Sequence, residues 1–264
     1  MSTATTGTAE RWGPLWGARP DDWAANEEQQ RPTYEEAIRQ VGSSPGERVL
    51  EVGCGSGVFL RLAADRGAQV TGLDASEALL AIARQRVPEA DLTVGDLQLL
   101  PYEDETFDLV AGFNSFFFAA DIVAALREAG RVAKPGAPVL IQVWGLPDHC
   151  DLEAMKHAVA PFLPPPDPDA PRGSALWKEG VLELLATEAG LTPERAFDTS
   201  WAYEYESDEA LLRGLLAAGG LALIAEEVGG GRVEIAILEA LAPYRSQGGA
   251  YRLQNEWHYL LARA

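Results

Sequence analysis

Val49-Leu50-Glu51-Val52-Gly53-Cys54-Gly55-Ser56-Gly57 decides how this chain is read. An apolar strand ending in an acid enters a loop with glycine at every second position, and residues 58–64 follow with helical spacing. The expectation is strand, tight turn, helix. Glycines without a Cβ let the backbone turn sharply and approach a ligand closely, while the following helix directs its free N–H groups at the same place. A nucleotide-like ligand fits such a loop. The dinucleotide fingerprint asks for glycines at relative positions one, three and six. Here they fall at 53, 55 and 57, and the sixth position is Val58. An NAD-dependent oxidoreductase is therefore the weaker reading.

Working outward, strands are expected near 48–52, 69–73, 91–94, 107–113 and 138–143, and helices near 58–66, 76–86 and 121–133. Strict alternation of this kind builds a parallel sheet with helices on both faces. Ser76 and Asp121 are plausible N-caps, and Gly67 and Gly136 stand where helix ends favour glycine. Residues 11–22 are rich in Trp, Gly and Pro, and 23–41 have helical spacing. Beyond Trp144 the pattern changes. Helix is expected over 151–162, a proline-dense loop over 161–171 and helix again over 177–189; then come a strand at 196–206, helices at 208–218 and 232–241, and a closing strand at 251–262. The apolar stretch 215–225 is broken by Gly219-Gly220 and is too short to span a bilayer.

The pattern Glu51-x-Gly53-x-Gly55-x-Gly57 resembles that of class I S-adenosylmethionine (SAM)-dependent methyltransferases, and further pieces follow in that family's order. These are Val70-Thr71-Gly72-Leu73-Asp74-Ala75-Ser76, Val94-Gly95-Asp96-Leu97, Phe107-Asp108-Leu109-Val110 and Arg131-Val132-Ala133-Lys134-Pro135-Gly136. The resemblance spans roughly residues 45–145. It implies an α/β fold with a Rossmann-like, seven-stranded, mostly parallel sheet and an antiparallel last strand. The expected divisions are an N-terminal tail and helical lid (1–44), a SAM-binding core (45–145), a substrate cap (146–195) and a C-terminal part completing the sheet (196–264).

The resemblance also implies a cofactor site. Gly53, Cys54, Gly55 and Gly57 would cradle the methionine part of SAM, with Glu51 near its ammonium group. Asp74 is placed to accept both ribose hydroxyls, because a carboxylate has two acceptor oxygens to match a vicinal diol. Ala75 follows it, Asp96 reaches the adenine amino group, and Leu97 faces the ring. After the fourth strand comes Gly112-Phe113-Asn114-Ser115-Phe116-Phe117-Phe118, where Asn114 sits near the methyl group. Methyltransferases acting on planar amines often carry Pro-Pro-aromatic there, and this chain has neither proline.

Two readings of the N-terminal segment stay open. Trp12, Trp16, Trp23 and Tyr34 could fold over the cofactor with Arg19 pairing its carboxylate, or they could simply pack an amphipathic helix. His149, in Asp148-His149-Cys150-Asp151, is either an acceptor-site base or a solvent-facing loop histidine. Consecutive residues cannot easily converge on one ion, so no metal site is expected.

Forty acidic against 21 basic residues give a net charge of −19, which repels nucleic acid and anionic membrane. The two cysteines, Cys54 and Cys150, have no paired spacing, and the first ten residues lack a basic and apolar leader. Both point to a cytoplasmic protein. The sequence thus predicts a small-molecule methyltransferase, monomeric or dimeric, with O-methylation favoured over N- or C-methylation and secondary metabolism as one setting. S-adenosylhomocysteine would be its product. A SAM-using enzyme with a non-methylating step such as cyclisation, and a non-catalytic SAM-binding module, are the alternatives.

Overall fold

The computed structural model describes residues 9–42, 44–163, 175–219, 221–229 and 231–264. Seven strands form one sheet: β1 (Arg48–Val52), β2 (Gln69–Asp74), β3 (Asp91–Val94), β4 (Leu109–Phe113), β5 (Pro138–Trp144), β6 (Thr192–Tyr205) and β7 (Tyr251–Arg263), in the order β3-β2-β1-β4-β5-β7-β6. β1 to β5 pair in parallel, whereas β7 lies antiparallel between β5 and β6. The central strands are covered on both faces, which is why they read as near-continuous apolar runs instead of alternating ones.

Eleven α-helices are present among the described residues. α1 (Ala9–Trp16), α2 (Pro20–Glu27) and α3 (Arg31–Val41) precede the sheet; α4 (Val58–Ala64), α5 (Glu77–Arg86) and α6 (Ile122–Val132) are its crossovers. α7 (Leu152–Val159), α8 (Val181–Glu188), α9 (Asp208–Leu216), α10 (Leu221–Glu227) and α11 (Arg232–Leu241) complete the set. Each β1 side chain goes to the face its position dictates. Val49 joins a core with α3, α4, α9 and α11, while Leu50 and Val52 join one with α6 and α8. The caps behave as expected: Ser76 accepts from the Leu79 amide, and Asp121 from those of Val123 and Ala124.

The boundaries differ from expectation in instructive places. The helical stretch 23–41 is interrupted by a 3₁₀ turn at Glu28–Gln30, because Pro32 removes a donor and its ring crowds the carbonyl four residues back. Helix α8 begins at Val181 and not at 177, after Gly180 turns through a left-handed φ of 79°. β6 starts four residues before the expected 196, its first half being largely solvent-facing and so not conspicuously apolar. α10 was not expected at all, since Gly219, at φ 58°, reads as an end of structure although a new helix follows. The segment expected as one cap divides. α7 reaches the cavity described below, α8 packs with α6 on the other side of the sheet, and most of the proline-dense loop lies outside the described residues.

Candidate functional site

Strand ends at one edge of the parallel sheet open onto a cavity of about 460 Å³, a size usual for small-molecule sites. Its floor is the glycine loop. Gly53 and Gly55 both hold left-handed backbone, φ 78° and 52°, and both line the cavity. A Cβ on Gly53 would come within 2.4 Å of the Ser115 Cβ, and one on Gly55 within 3.1 Å of the Glu27 carboxylate. Gly57 has a different task. It precedes α4 and lies against Ala83 of α5, where a Cβ would come within 3.1 Å of the Ala83 methyl.

Asp74 ends β2 at the cavity, with Oδ2 accepting from the Gly55 amide (2.9 Å) and Oδ1 from the Ser76 amide (2.8 Å). Each carboxylate oxygen keeps a lone pair for a further donor. Burial raises the Asp74 carboxyl above its ordinary range, and the backbone amides of Ser76, Gly55 and Ala75 work against that rise. Asp96 and Leu97 follow β3 and also line the cavity. Their loop is anchored from α6: Glu128 accepts from the Leu100 amide, Arg131 donates to the carbonyls of Leu100 and Tyr102, and Gln98 accepts from Ala120.

The N-terminal helices close over these elements. Asp96 Oδ2 accepts from the Ala9 amide at the start of α1 (2.8 Å), and Trp12 Nε1 donates to the Phe118 carbonyl (3.1 Å). Trp16 stands edge-on to Trp23 with ring centroids 4.6 Å apart. Such closeness needs Gly13, whose Cβ would lie 2.4 Å from the Ala75 carbonyl oxygen. Farther along, Trp23, Asn26, Glu27, Gln30 and Tyr34 recur at helical spacing and all line the cavity. Glu27 is 3% exposed, and its Oε2 accepts from the Ser56 amide (2.9 Å) and hydroxyl (2.6 Å). Burial, above all, pushes its carboxyl up to about 7.

On the far side, Phe113, Phe117, Phe118, Trp144, Met155 and Tyr203 make a largely apolar wall. Asn114 interrupts it at φ 50°, a conformation uncommon outside glycine. Its amide orientation follows from a chain of hydrogen bonds. Tyr259 donates to the Thr33 carbonyl (3.0 Å), so its oxygen accepts from Gln142 Nε2 (2.6 Å). The Thr33 hydroxyl donates to the Gln30 carbonyl and accepts the other Gln142 hydrogen. Gln142 Oε1 is then the end that faces Asn114, and it accepts from Asn114 Nδ2 (3.2 Å). Asn114 Oδ1 is left buried without a partner among the described residues.

Of the residues anticipated for the cofactor, Gly53, Gly55, Asp74, Ala75, Asp96, Leu97, Asn114, Trp16 and Trp23 are brought together here. Four others are not at the cavity surface. Cys54 turns its thiol into the core, close against Gly72, so only its backbone belongs to the loop. Glu51 lies beneath the loop, 1% exposed, and burial drives its carboxyl well above the usual range. Arg19 faces away, its guanidinium 3.7 Å from Glu226. Gly57 serves helix packing. The acceptor-base reading of His149 is corrected as well: the ring is half-exposed, outside the cavity, and Nδ1 lies 2.7 Å from Glu256. Tyr34, one of the aromatics expected to cover the cofactor, does line the cavity, whereas Glu27, Asn26, Gln30, Tyr203 and Met155 were not foreseen as cofactor or substrate residues. The polar residues among them carried one signal: Asn26, Glu27, Gln30 and Tyr34 stand three, four, seven and eleven residues after Trp23, which puts them on one helical face.

A glycine cradle, an acid at the end of β2, a second at the loop after β3 and an aromatic roof line one cavity, the arrangement expected of a methyltransferase's cofactor site. Known proteins similar to this chain bear on its family. Residues 50–141 match the family described as "Methyltransferase domain". An uncharacterised protein of Mycobacterium tuberculosis is 31% identical over 246 residues, covering 86% of this chain and 84% of its own length. Malonyl-[acyl-carrier protein] O-methyltransferase of Serratia marcescens is 36% identical over 111 residues, 42% of this chain and 44% of that enzyme, so the chain spans less than half of that relative. The YcgJ structure from Bacillus subtilis superposes with a TM-score of 0.58 at 18% identity, covering 88% of this chain and 97% of that one. The chain belongs to the class I SAM-dependent methyltransferase family, and its cofactor is SAM. Among the described residues, no helix is long and apolar enough to cross a membrane.

The residues present fit that cofactor. Three buried carboxyls, Glu27, Glu51 and Asp74, crowd the glycine loop and are all pushed toward their neutral forms. A ligand bearing positive charge relieves that crowding. The lone pairs left on Asp74 suit a diol, and the cradle admits no side chain.

Proposed function

We propose that the protein methylates a hydroxyl group on a small, largely apolar acceptor. When bound, SAM supplies a methyl carbon already made electrophilic by the sulfonium, so the chain's task is to hold a nucleophile in line and exclude water. Positioning of that kind contributes on the order of 7 to 11 kcal/mol. In this reading Gly53 and Gly55 cradle the methionine part, Asp74 takes the ribose hydroxyls, Asp96 takes the adenine amino group and Leu97 lies against the ring. α1 and α2 shut out solvent with Trp12, Trp16 and Trp23.

One observation carries the acceptor side: the orphaned Asn114 Oδ1 in the midst of an aromatic wall. A buried acceptor without a donor is costly, by roughly 1 to 3 kcal/mol, and a substrate O–H or N–H satisfies it where a carbon nucleophile does not. Oδ1 orients the proton-bearing heteroatom without itself removing the proton, which would pass to solvent as the methyl group is transferred and S-adenosylhomocysteine is formed. The aromatic surround suits a flat, apolar molecule. The Serratia relative is named an O-methyltransferase, which supports the choice of oxygen.

The test is a panel of phenols, aliphatic alcohols, aryl amines and active-methylene carbon acids incubated with SAM, with S-adenosylhomocysteine and product followed by mass spectrometry. The expected result is S-adenosylhomocysteine equimolar with an O-methylated panel member. Turnover of carbon acids alone would reverse the choice of oxygen, and conversion of an acceptor without S-adenosylhomocysteine would favour the non-methylating alternative.

A further inference from the structure

Glu27 presents a problem that the motif does not solve. Its carboxylate is held over the glycine loop by Ser56, 29 residues away, and both oxygens lie within 3.2 Å of the place a Gly55 Cβ would take. No hydrogen bond from the described residues reaches Oε1. The charged and titratable neighbours are mostly of the wrong sign. Asp74 of β2 and Glu51 of β1 bring two more carboxyls, while Tyr34 of α3, Tyr203 of β6 and Cys54 of the loop bring groups with no positive charge to offer. Arg86 of α5 approaches but is diverted: Nη1 donates to the carbonyl and hydroxyl of Ser56, and Nη2 pairs with Glu28 at 3.1 Å. A buried carboxyl that faces a cavity, with one oxygen fixed and the other free, is arranged for a cationic donor that the protein does not provide.

We propose that Glu27 is the amine-recognition residue of this site: its carboxylate takes the ammonium group of the cofactor's methionine part, the place that the glycine motif would give to Glu51. The inference rests on the SAM reading above. It follows from position, since Glu51 lies beneath the loop and outside the cavity lining while Glu27 lies above the loop and within it. It has a consequence for specificity. Ligands that keep the nucleoside and lose the amine lose the Glu27 contact. Because Glu27 and Trp23 share one face of α2, the contact that selects the amine also fixes the aromatic roof.

The experiment is calorimetric titration of wild type and Glu27→Gln with two probes, S-adenosylhomocysteine and its analogue lacking only the amino group, between pH 6 and 8.5. Glutamine keeps an oxygen for the Ser56 amide, so the loop retains its tie. The expected result is a roughly ten- to hundred-fold loss of S-adenosylhomocysteine affinity in the variant, the range for hydrogen bonds to a charged group. The deamino analogue should bind both proteins alike, and wild-type affinity for S-adenosylhomocysteine should rise with pH through about 7 while the variant's stays flat. Equal losses for both probes would assign Glu27 a structural role and overturn the proposal, as would unchanged S-adenosylhomocysteine binding. Failure of wild type to bind either probe would overturn the SAM reading and the proposal with it.

Discussion

The glycine loop and the N-terminal helices meet at one cavity, yet they are built on different principles. The loop's turn is set locally, by left-handed glycines at 53, 55 and 57 between a strand and a helix, and its amides are then tied to Leu73, Asp74 and Glu27. The helices are assembled from distant partners: Ala9 on Asp96, Trp12 on Phe118, Gly13 on Ala75 and Glu27 on Ser56. A cradle shaped by the turn itself is thereby joined to a roof held by distant contacts. In our account the loop cradles the methionine part, and the roof takes its amine and encloses the acceptor.

The comparison breaks most sharply at Gly13. Gly13→Val places a side chain where only 2.4 Å separates a Cβ from the Ala75 carbonyl, so α1 must lift while the sheet stays intact. Turnover is expected to fall about a hundred-fold, as small misplacements do in positioned reactions. Steady-state kinetics beside an unchanged circular dichroism spectrum would establish it.

Glu27 offers the next largest effect, through pH. In the folded protein without ligand its carboxyl sits at about 7 against an ordinary 4.5, so between those values the folded state holds a proton that the unfolded chain has released. Stability from this group is therefore greatest below about 4.5, declines as pH rises through that window and is fully lost above 7. Glu27→Gln does not titrate. Chemical denaturation at pH 8 should find the variant more stable by up to about 3 kcal/mol, with the gap closing near pH 4.5.

Asp74→Ala probes the local half. Loss of the charged acceptor should weaken S-adenosylhomocysteine by about ten- to hundred-fold, measured by titration, with α1 still seated. The smallest effect belongs to His149→Ala. Its half-exposed pair with Glu256 is worth about 1 kcal/mol or less, and turnover should stay within about two-fold of wild type.

The same division explains what the sequence made legible. Strands β1 to β5 and helices α4 to α6 fall within a few residues of expectation, because apolar runs, helical spacing and glycine breaks are local signals. Asp74 and Asp96 reach the cavity because each sits at a strand end or just beyond one, where topology alone decides position. Glu51 and Cys54 do not reach the cavity surface: both side chains are buried, the Cys54 thiol against Gly72 of β2. Glu27 and Asn114 Oδ1 were beyond reach, since one acquires its role from Ser56 and the other from a relay through Gln142, Tyr259 and Thr33. Arg19 looked like a carboxylate partner by charge and neighbourhood, and the turn before α2 carries it to the outer surface.

The central claim is that loop and roof form one ligand site. Hydrogen–deuterium exchange with and without S-adenosylhomocysteine tests it most directly, because amide protection reports local opening segment by segment. Ligand-dependent protection is expected at residues 53–57 and 95–98 together with residues 9–30. Protection confined to the glycine loop and the β3 loop, with α1 and α2 exchanging as they do without ligand, would contradict it.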